Sequence, residues 1–400
     1  MKKILSLLLV ISMAFACTGC EAMENLIGSA SNQSNESSSM WADEEVNEKI
    51  DEINEYIDDY FYFEIDEEKQ EEALYDAVLA GLDDPYSVYY TEEEFAELQE
   101  TNSGEYVGIG AVVTQDVDML VSIVRPIKGS PAEEAGLMAE DIIVEVDGVE
   151  IIDQELTVVV DMIRGEEGTK AQIKIYRPST GEYMDFEVER RVVENYSVSY
   201  KMLEDNIGYI LVEQFYDNTC TEFIEAFEDL ESQGAKAMVV DLRDNPGGLL
   251  TAVVDMCDYL MKEGPIVTTK DKHGNILQQY SSTDEEYTDI PMAVLINGNS
   301  ASASEIFAGA LQDTGVAEII GTTSYGKGIV QSVIPLSDGT AIKITVAKYF
   351  TPNENDIHEI GIVPDYEVEL ADGRTNAVSI DYADDLQLHK AEEVLKGMMD

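Results

Sequence analysis

Basic residues are scarce in this chain. Its 400 residues include 24 Lys and Arg against 82 Asp and Glu, which gives a formal net charge of −58. Such a surface repels nucleic-acid phosphates and anionic lipid headgroups, so nucleic-acid binding is not expected. The acidic residues are scattered along the chain rather than gathered in one tail, and we interpret most of them as solvated faces that keep the protein soluble.

Histidine is scarce as well. The chain contains only His273, His358 and His389, and none of them has the sequence context of a known Ser–His triad. A reactive serine in this protein would therefore need another base, and lysine is the remaining candidate.

The N-terminus has a short apolar run from Ile4 to Ala16, preceded by Lys2 and Lys3. The run is too short to span a bilayer comfortably and is typical of a secretory signal. Thr18-Gly19 before Cys20 resembles the lipobox of bacterial lipoproteins, although Cys17 stands where Leu is usual. This resemblance implies removal of residues 1–19, diacylation of Cys20 and a membrane-anchored protein in the bacterial cell envelope. A plain secreted or signal-anchored protein is the alternative.

Cysteines number only four. Lipidation of Cys20 would leave Cys220 and Cys257 as the free thiols of the mature chain, without Cys-x-x-Cys spacing. Neither a disulfide framework nor a metal site is expected from this pattern. Both residues fall in helix-like segments, so we predict structural thiols.

Composition divides the rest of the N-terminal part into a tether and a helical region. Residues 20–43 include a Ser/Asn-rich stretch with almost no apolar residues, which predicts a flexible tether. Residues 44–103 show helical apolar spacing. Within them, Thr91 is a plausible N-cap, with Glu94 three residues later.

Residues 104–193 change to a strand pattern, and the first of several predicted strands runs from Gly108 to Thr114. Three segments of this region resemble a PDZ domain of the bacterial protease type. They are Tyr106 to Gly110, Gly129 to Leu137 and Val146-Asp147-Gly148. A PDZ domain adds an extended peptide to an open sheet edge, while backbone N–H groups hold the terminal carboxylate. The resemblance assigns peptide binding to Val107, Gly108, Ile109 and Gly110, and the carboxylate to the N–H groups of the Gly108-Ile109-Gly110 turn. The alternative is a β-rich domain whose glycines only make turns.

Strands and helices alternate over residues 194–370, which predicts a layered α/β core with a largely parallel sheet. A closing helix is expected within residues 371–400, from Ala383 to Met399. The whole chain is thus predicted to be multi-domain, with α+β and α/β parts.

Ser302 lies in a Ser-rich helix start, Ser300-Ala301-Ser302-Ala303-Ser304-Glu305. Ser302-x-x-Glu305 satisfies the capping-box pattern, which by itself is a structural feature. A serine at a helix start also places backbone N–H groups, here that of Ala303, where they can stabilise an oxyanion. The two interpretations are compatible.

Lys327 is flanked by Gly326 and Gly328 at the start of an apolar strand without acidic residues. If the strand begins at Lys327, a period of two puts Gln331 on the same face, where it can orient the amine. Desolvation without a carboxylate partner lowers the pKa of a lysine and makes it a base. A surface lysine in a hairpin is the alternative.

Asn245-Pro246-Gly247-Gly248 forms a glycine turn after a predicted strand. Its backbone N–H groups can bind an anion at the start of the next helix. A nucleotide site is the weaker alternative, because no Gly-Lys-Ser/Thr and no Gly-x-Gly-x-x-Gly occurs here. We expect Gly247 or Gly248 to contribute to an oxyanion hole.

These elements and their order resemble the carboxyl-terminal processing peptidases, which are PDZ-containing Ser/Lys endopeptidases. The resemblance extends from about Tyr56 to the C-terminus and matches Ser302, Lys327 and Gln331. The other matching motifs are Asp83 to Ser87, Asp241 to Arg243, Asn245 to Gly248, Thr351-Pro352 and Gly361 to Asp365. Two departures are Tyr86 where His is common and Ser324 where Thr is usual, and we expect neither to touch the dyad.

The resemblance implies a nucleophilic Ser302, a general base Lys327 held by Gln331, and an oxyanion hole made by Ala303 with Gly247 or Gly248. It also implies that Arg164 couples peptide binding to activation, as in some family members. It implies protein or peptide substrates with exposed C-terminal tails and no cofactor, and a homodimer is an open alternative.

Two other functions compete with this one. A catalytically silent, membrane-tethered PDZ scaffold would bind peptides without turnover, but the complete set of Ser302, Lys327 and Gln331 counts against it. A penicillin-binding or β-lactamase type of enzyme would need Ser-x-x-Lys on one helix turn, where this chain has Glu305.

Overall fold

The computed structural model of the protein describes residues 44–116, 119–194, 196–283, 287–370, 377, 380 and 382–399. The predicted signal peptide, the tether and Cys20 lie outside these residues. Within the described ranges, no helix is both long and apolar enough to cross a membrane. The chain forms two compact units, one up to Gln70 and the other from Glu71 onward.

The described chain begins with helical elements. These are α1 (Glu44–Tyr60), α2 (Glu67–Ala80), the short strand β1 (Val88–Tyr90) and α3 (Glu92–Ser103). The N-cap predicted at Thr91 is confirmed: its hydroxyl accepts the N–H of Glu94 at 3.2 Å, and the Glu94 carboxylate accepts the N–H of Thr91 at 2.9 Å. Helix α3 ends at Gly104, whose φ of 71° lies in the left-handed region that glycine adopts at little cost.

A β-rich domain follows. Its elements are β2 (Glu105–Gly108), β3 (Ala111–Gln115), β4 (Val121–Pro126), α4 (Pro131–Ala135), β5 (Ile142–Val146), β6 (Val149–Glu150), α5 (Leu156–Ile163), β7 (Lys170–Arg177), β8 (Glu182–Glu189) and β9 (Arg191–Glu194). One antiparallel sheet has the order β3-β4-β5-β7-β8, and β2 pairs separately with β9. Alternate residues of these strands are buried with Val159 and Ile163 of α5, so one face of the sheet makes the core.

The prediction of one continuous strand from Gly108 to Thr114 is wrong, because Ile109 and Gly110 interrupt the strand. Strand β2 ends at Gly108 and β3 begins at Ala111. Ile109 is buried in the core, and Gly110 has a φ of 76°. The backbone therefore turns between the two strands and presents the start of β3 at an open sheet edge.

A layered α/β domain makes up the rest of the chain. Its strands are β10 (Val198–Met202), β11 (Ile207–Val212), β12 (Ala237–Asp241), β13 (Gly264–Lys270), β14 (Ile276–Ser282), β15 (Met292–Ile296), β16 (Ala317–Gly321), β17 (Ile329–Pro335), β18 (Ala341–Phe350) and β19 (Tyr366–Glu367). Its helices are α6 (Thr219–Ser232), α7 (Leu250–Leu260), α8 (Ala303–Thr314) and α9 (Leu386–Met399).

The central sheet has the order β10-β11-β12-β15-β16-β19, and all neighbours except β10 and β11 run parallel. This confirms the predicted, largely parallel sheet. Strands β12 and β15 are buried at every residue, as expected for a parallel sheet covered on both faces. Helices α6, α7 and α8 pack on one face and α9 packs on the other. Helix α9 begins at Leu386, three residues after the predicted start.

A second, antiparallel sheet was not predicted. It has the order β1-β18-β13-β14, and β17 also pairs with β18. Residues Val88 to Tyr90 of β1 lie opposite Lys343 to Ala341 of β18. This pairing joins segments about 250 residues apart in the chain, and it brings the turn at Asp84 to Tyr86 beside the start of β17.

Cys220 and Cys257 both fall in helices, as predicted. Cys257 in α7 is fully buried, Cys220 in α6 is partly buried, and the two are free cysteines. Burial raises the pKa of Cys220 to about 12 and that of Cys257 further still. Neither thiol is therefore activated as a nucleophile.

Candidate active site

Ser302 lies where the loop after β15 enters helix α8. The flanking serines are fully buried and serve the scaffold: Ser300 Oγ donates to the Leu242 carbonyl at 2.7 Å, and Ser304 Oγ donates to the Asn245 carbonyl at 3.0 Å. Ser302 is half-buried and has a φ of 56°, a conformation that costs a non-glycine residue free energy. The middle serine thus differs from its neighbours in both exposure and backbone strain.

Glu305 ties the serine to the lysine segment. Its side chain is fully buried, and its carboxylate accepts the N–H of Ser302 at 2.9 Å, which is the backbone half of the predicted capping box. The same carboxylate accepts the N–H groups of Gly326 at 2.7 Å and Lys327 at 2.8 Å, and the Ser324 hydroxyl at 2.6 Å. One buried carboxylate therefore holds together the two segments that carry Ser302 and Lys327.

Lys327 is half-buried just before β17, and its Nζ lies 4.6 Å from the centre of the Tyr86 ring. Burial is the largest influence on the pKa of Lys327 and lowers it from the ordinary value of 10.5. The charge of Lys343 lowers this pKa further, whereas Asp84 and Glu305 raise it. The predicted direction of the pKa shift is confirmed.

The expectation that the two departures from the family pattern leave the dyad untouched is wrong. The Tyr86 ring contacts the lysine amine directly. Ser324 Oγ donates to the carboxylate that binds the backbone N–H of both Ser302 and Lys327, and it accepts the N–H of Ile362 at 2.6 Å. Sequence reasoning missed the Tyr86 contact because its segment reaches Lys327 through the pairing of β1 and β17 with β18 in the second sheet.

The glycine turn lies against Ser302. A side chain at Gly247 would come within 2.7 Å of both the Ala301 carbonyl oxygen and Ser302 Cβ, so only glycine fits. The Gly247 N–H already donates to Asn245 Oδ1 at 2.8 Å. In the described part of the chain, the N–H groups of Gly248 and Ala303 have no hydrogen-bond acceptor. Of the two glycines expected for the oxyanion hole, Gly248 is thus the one with a free donor.

The β-rich domain carries a groove of about 130 Å³ at the open edge of β3. It is lined by Tyr106, Gly108, Ile109, Gly110, Ala111, Val113, Val160, Ile163 and Arg164. The carbonyls of Ile109 and Gly110 are bonded within the domain: that of Ile109 accepts the N–H of Ala132, and that of Gly110 accepts the N–H of Ile127. The Val107 N–H donates to Glu100 Oε1 at 2.9 Å, so the backbone donor of this predicted peptide-binding residue is already engaged.

Arg164 follows helix α5 at the rim of this groove. Its guanidinium lies 3.7 Å from the Glu100 carboxylate and 5.6 Å from the centre of the Tyr106 ring. It therefore joins the groove to helix α3, the element that precedes the β-rich domain.

Comparison with known proteins fits both domains. Residues 122–177 match the PDZ domain, and residues 206–368 match peptidase family S41. The chain is 39% identical over 305 residues to a carboxyl-terminal-processing protease of Picosynechococcus sp., covering 74% of this chain and 73% of the relative. The chain belongs to this family of proteases.

Two further comparisons extend the match. This S41 protease is 36% identical over 367 residues to a carboxy-terminal-processing protease of Bartonella bacilliformis, covering 83% of this chain and 84% of the relative. The solved structure of a putative S41 protease from Bacteroides fragilis shares its fold, at 17% identity and a TM-score of 0.51, over 81% of this chain and 90% of that one.

Gln331 of this S41 protease does not sit as predicted from a simple strand period. Strand β17 begins at Ile329 rather than at Lys327, and a β-bulge between Val330 and Gln331 breaks the alternation. Gln331 Nε2 is buried and has no hydrogen-bond partner within the described ranges. Among the described residues, no hydrogen bond joins Lys327 Nζ to Ser302 or to Gln331.

Tyr349 is a residue of this site that sequence reasoning missed. It is buried on β18, its hydroxyl donates to the Lys327 carbonyl oxygen, and the Ser302 side chain lies close to the same hydroxyl. Burial raises the pKa of Tyr349 well above its usual value, so the phenol stays protonated. The nearest sequence signal is Thr351-Pro352, a family motif two residues further on.

Proposed function

We propose that this protease is a serine endopeptidase with Ser302 as nucleophile and Lys327 as general base. The observation that carries the proposal is the Glu305 carboxylate, which binds the backbone N–H of both residues from a fully buried position. Two supporting observations are the strained, half-buried backbone of Ser302 and the lowered pKa of Lys327.

In the proposed reaction, neutral Lys327 removes the proton from Ser302 Oγ as the oxygen bonds to the scissile carbonyl carbon. The carbonyl oxygen becomes an oxyanion that the N–H groups of Gly248 and Ala303 stabilise, each worth about 3 kcal/mol in comparable sites. The C–N bond then breaks, and the Lys327 ammonium gives its proton to the leaving amine. Water attacks the acyl-enzyme with the same lysine as base, which regenerates Ser302.

Gln331 is proposed to orient the lysine amine once substrate is bound. Its amide nitrogen is buried and has no partner in the described residues, so it is free to bond within the site. Catalytic hydrogen bonds often tighten only in the substrate complex. Lys327 leaving the Tyr86 ring for Ser302 and Gln331 is a movement of this kind.

The PDZ domain is proposed to capture the C-terminal tail of the substrate. Its groove lies at the open edge of β3 and is lined by apolar side chains together with Gly108 and Gly110. Arg164 at the rim is proposed to couple peptide binding in the groove to activation of the protease, because it contacts both the groove and Glu100 of α3.

Two unfolded protein substrates that differ only at the C-terminus test this function. Both have the same apolar tail, one ending in a carboxylate and the other in an amide. We expect internal cleavage of both, with kcat/KM about ten- to a hundredfold lower for the amide because it forfeits charge-assisted hydrogen bonds. Cleavage sites are assigned by mass spectrometry of the fragments.

A matched pair of variants on helix α5 controls this experiment. Val160 lines the groove, whereas Val158 on the same helix is 43% exposed and does not line it. Val160→Glu should remove the preference for the carboxylate substrate, and Val158→Glu should retain it. Binding without cleavage of either substrate would favour the alternative of a silent PDZ scaffold and overturn the proposal.

We also propose that the protease is anchored in the bacterial cell envelope through a lipid on Cys20. Residues 2–20 support this, with two lysines, an apolar run and Thr-Gly before the cysteine. Cells fed a labelled fatty acid should incorporate label into the native protein and none into Cys20→Ser, which should leave the membrane fraction. Equal labelling of the two would contradict the anchor.

A further inference from the structure

The Tyr86 ring lies against the amine of the proposed base, Lys327. The ring centre is 4.6 Å from Lys327 Nζ, inside the range of about 6 Å for a cation–π contact. The Tyr86 hydroxyl lies close to that of Tyr325, and this neighbour raises the pKa of Tyr86. Tyr86 and Lys327 belong to segments about 240 residues apart, so the contact is a product of the tertiary fold.

The turn that carries Tyr86 is fixed by a chain of hydrogen bonds. Asp84 accepts the Tyr86 N–H at 3.1 Å and the Ser87 hydroxyl at 2.7 Å. Ser87 Oγ in turn accepts the Thr345 N–H of strand β18 at 3.3 Å. Strand β1 then pairs with the same β18. The ring is thus anchored to the strand that lies beside β17, at whose start Lys327 is found.

The charges around Lys327 come from several elements. The groups that face it or its backbone are Asp84 in the turn, Lys343 and Tyr349 on β18, Glu305 on α8, Tyr86 and Tyr325, with His358 packed on Gly328. Lys343 has its own aromatic partner, since its Nζ donates to the Tyr90 hydroxyl at 2.6 Å. The two lysines therefore contact different rings, Lys343 that of Tyr90 and Lys327 that of Tyr86.

We propose that Tyr86 is a positioning residue for Lys327. The Tyr86 ring holds the protonated amine in place and sets the pH at which that amine becomes a base. The proposal rests on the proposed role of Lys327. A ring face attracts an ammonium and not a neutral amine, so Tyr86 favours the protonated form against the desolvation that disfavours it. The lysine leaves the ring when it loses its proton, and the free amine can then turn to Ser302.

The sign of the effect follows from this balance. Loss of the ring removes a stabilising contact of the charged form, so the pKa of Lys327 falls further. Because kcat/KM follows the fraction of neutral lysine, its acid limb should move to lower pH by about 0.5 unit in Tyr86→Leu. At a pH below the limb, the kcat/KM of Tyr86→Leu relative to its own plateau should rise about threefold. Tyr86→Phe keeps the ring and should keep the wild-type limb.

The experiment combines two readouts on the full-length protein. The first is the pH profile of kcat/KM for a substrate without titrating groups. The second is the pH dependence of acetylation of the Lys327 amine by a brief pulse of labelled acetic anhydride, quantified by mass spectrometry in a Ser302→Ala background. Tyr90→Leu is the matched control, since it removes a comparable ring 5.2 Å from Lys343 instead.

Lower midpoints of both readouts in Tyr86→Leu, with unchanged midpoints in Tyr86→Phe and Tyr90→Leu, would support the proposal. An acetylation midpoint in Tyr86→Leu equal to that of the parent would overturn it, as would an equal shift in Tyr90→Leu. If Lys327→Ala stayed active, the proposed dyad would be refuted, while the acetylation midpoints would still decide the role of Tyr86.

Discussion

Replacement of Ser302 or Lys327 by Ala is expected to reduce kcat/KM for peptide hydrolysis at least about a thousandfold. In the proposed mechanism, loss of Ser302 removes the atom that forms the acyl-enzyme, and loss of Lys327 removes the base that accepts the serine proton. The two residues act as one unit, so the double variant should be no less active than either single variant. Activities that multiply in the double variant would contradict a shared dyad.

The variant Lys327→Arg tests whether the site needs a base at this position or only a positive charge. Arginine keeps the cation and its contact with an aromatic ring, but its guanidinium does not deprotonate in proteins. We therefore expect Lys327→Arg to be as inactive as Lys327→Ala. Recovery of activity in the arginine variant would show that the site needs only a charge.

Two controls show that such losses are local. Lys348→Ala removes a lysine on strand β18 that forms a partly exposed ion pair with Asp356 at 3.0 Å, and it should change kcat/KM less than about threefold. The Tm of Ser302→Ala and Lys327→Ala should stay within a few degrees of the wild type, because neither change opens a core cavity. A large fall in Tm would mean that inactivity reports unfolding.

The parts of this fold that sequence could predict are those set by local pattern. The helix start at Ala303 follows from a serine, a capping glutamate and an apolar run, and the structure begins α8 there. Strands β12 and β15 follow apolar runs in the region where alternating strands and helices were predicted, and both are buried at every residue. Short-range chemistry was sufficient for these elements.

The remainder of the site depends on pairings that no local pattern encodes. Tyr86 and Tyr349 reach Lys327 because β1 and β17 both pair with β18. The bulge before Gln331 and the break at Gly110 each alter a strand period that hydrophobic alternation alone suggests to be continuous. A pattern read along the chain gives the faces of a strand, but it does not give the strand's partner.

Glu305→Gln is expected to lower the free energy of unfolding by about 3 kcal/mol and kcat/KM by more than tenfold. The carboxylate has no exposed surface and accepts four donors, from Ser302, Ser324, Gly326 and Lys327. An amide offers one oxygen in place of two and turns its own N–H groups toward donors, so buried donors lose their acceptor. Urea denaturation and steady-state kinetics measure the two effects.

Glu94→Gln is the matched control, because Thr91 and Glu94 form the same capping motif at the start of α3 on an exposed surface. Glutamine serves a capping box nearly as well as glutamate, so this change should cost less than about 1 kcal/mol. Equal costs at the two positions would make Glu305 an ordinary helix cap. We expect a much larger cost at Glu305, together with lost activity, because its carboxylate binds the backbone N–H groups of both Ser302, the proposed nucleophile, and Lys327, the proposed base.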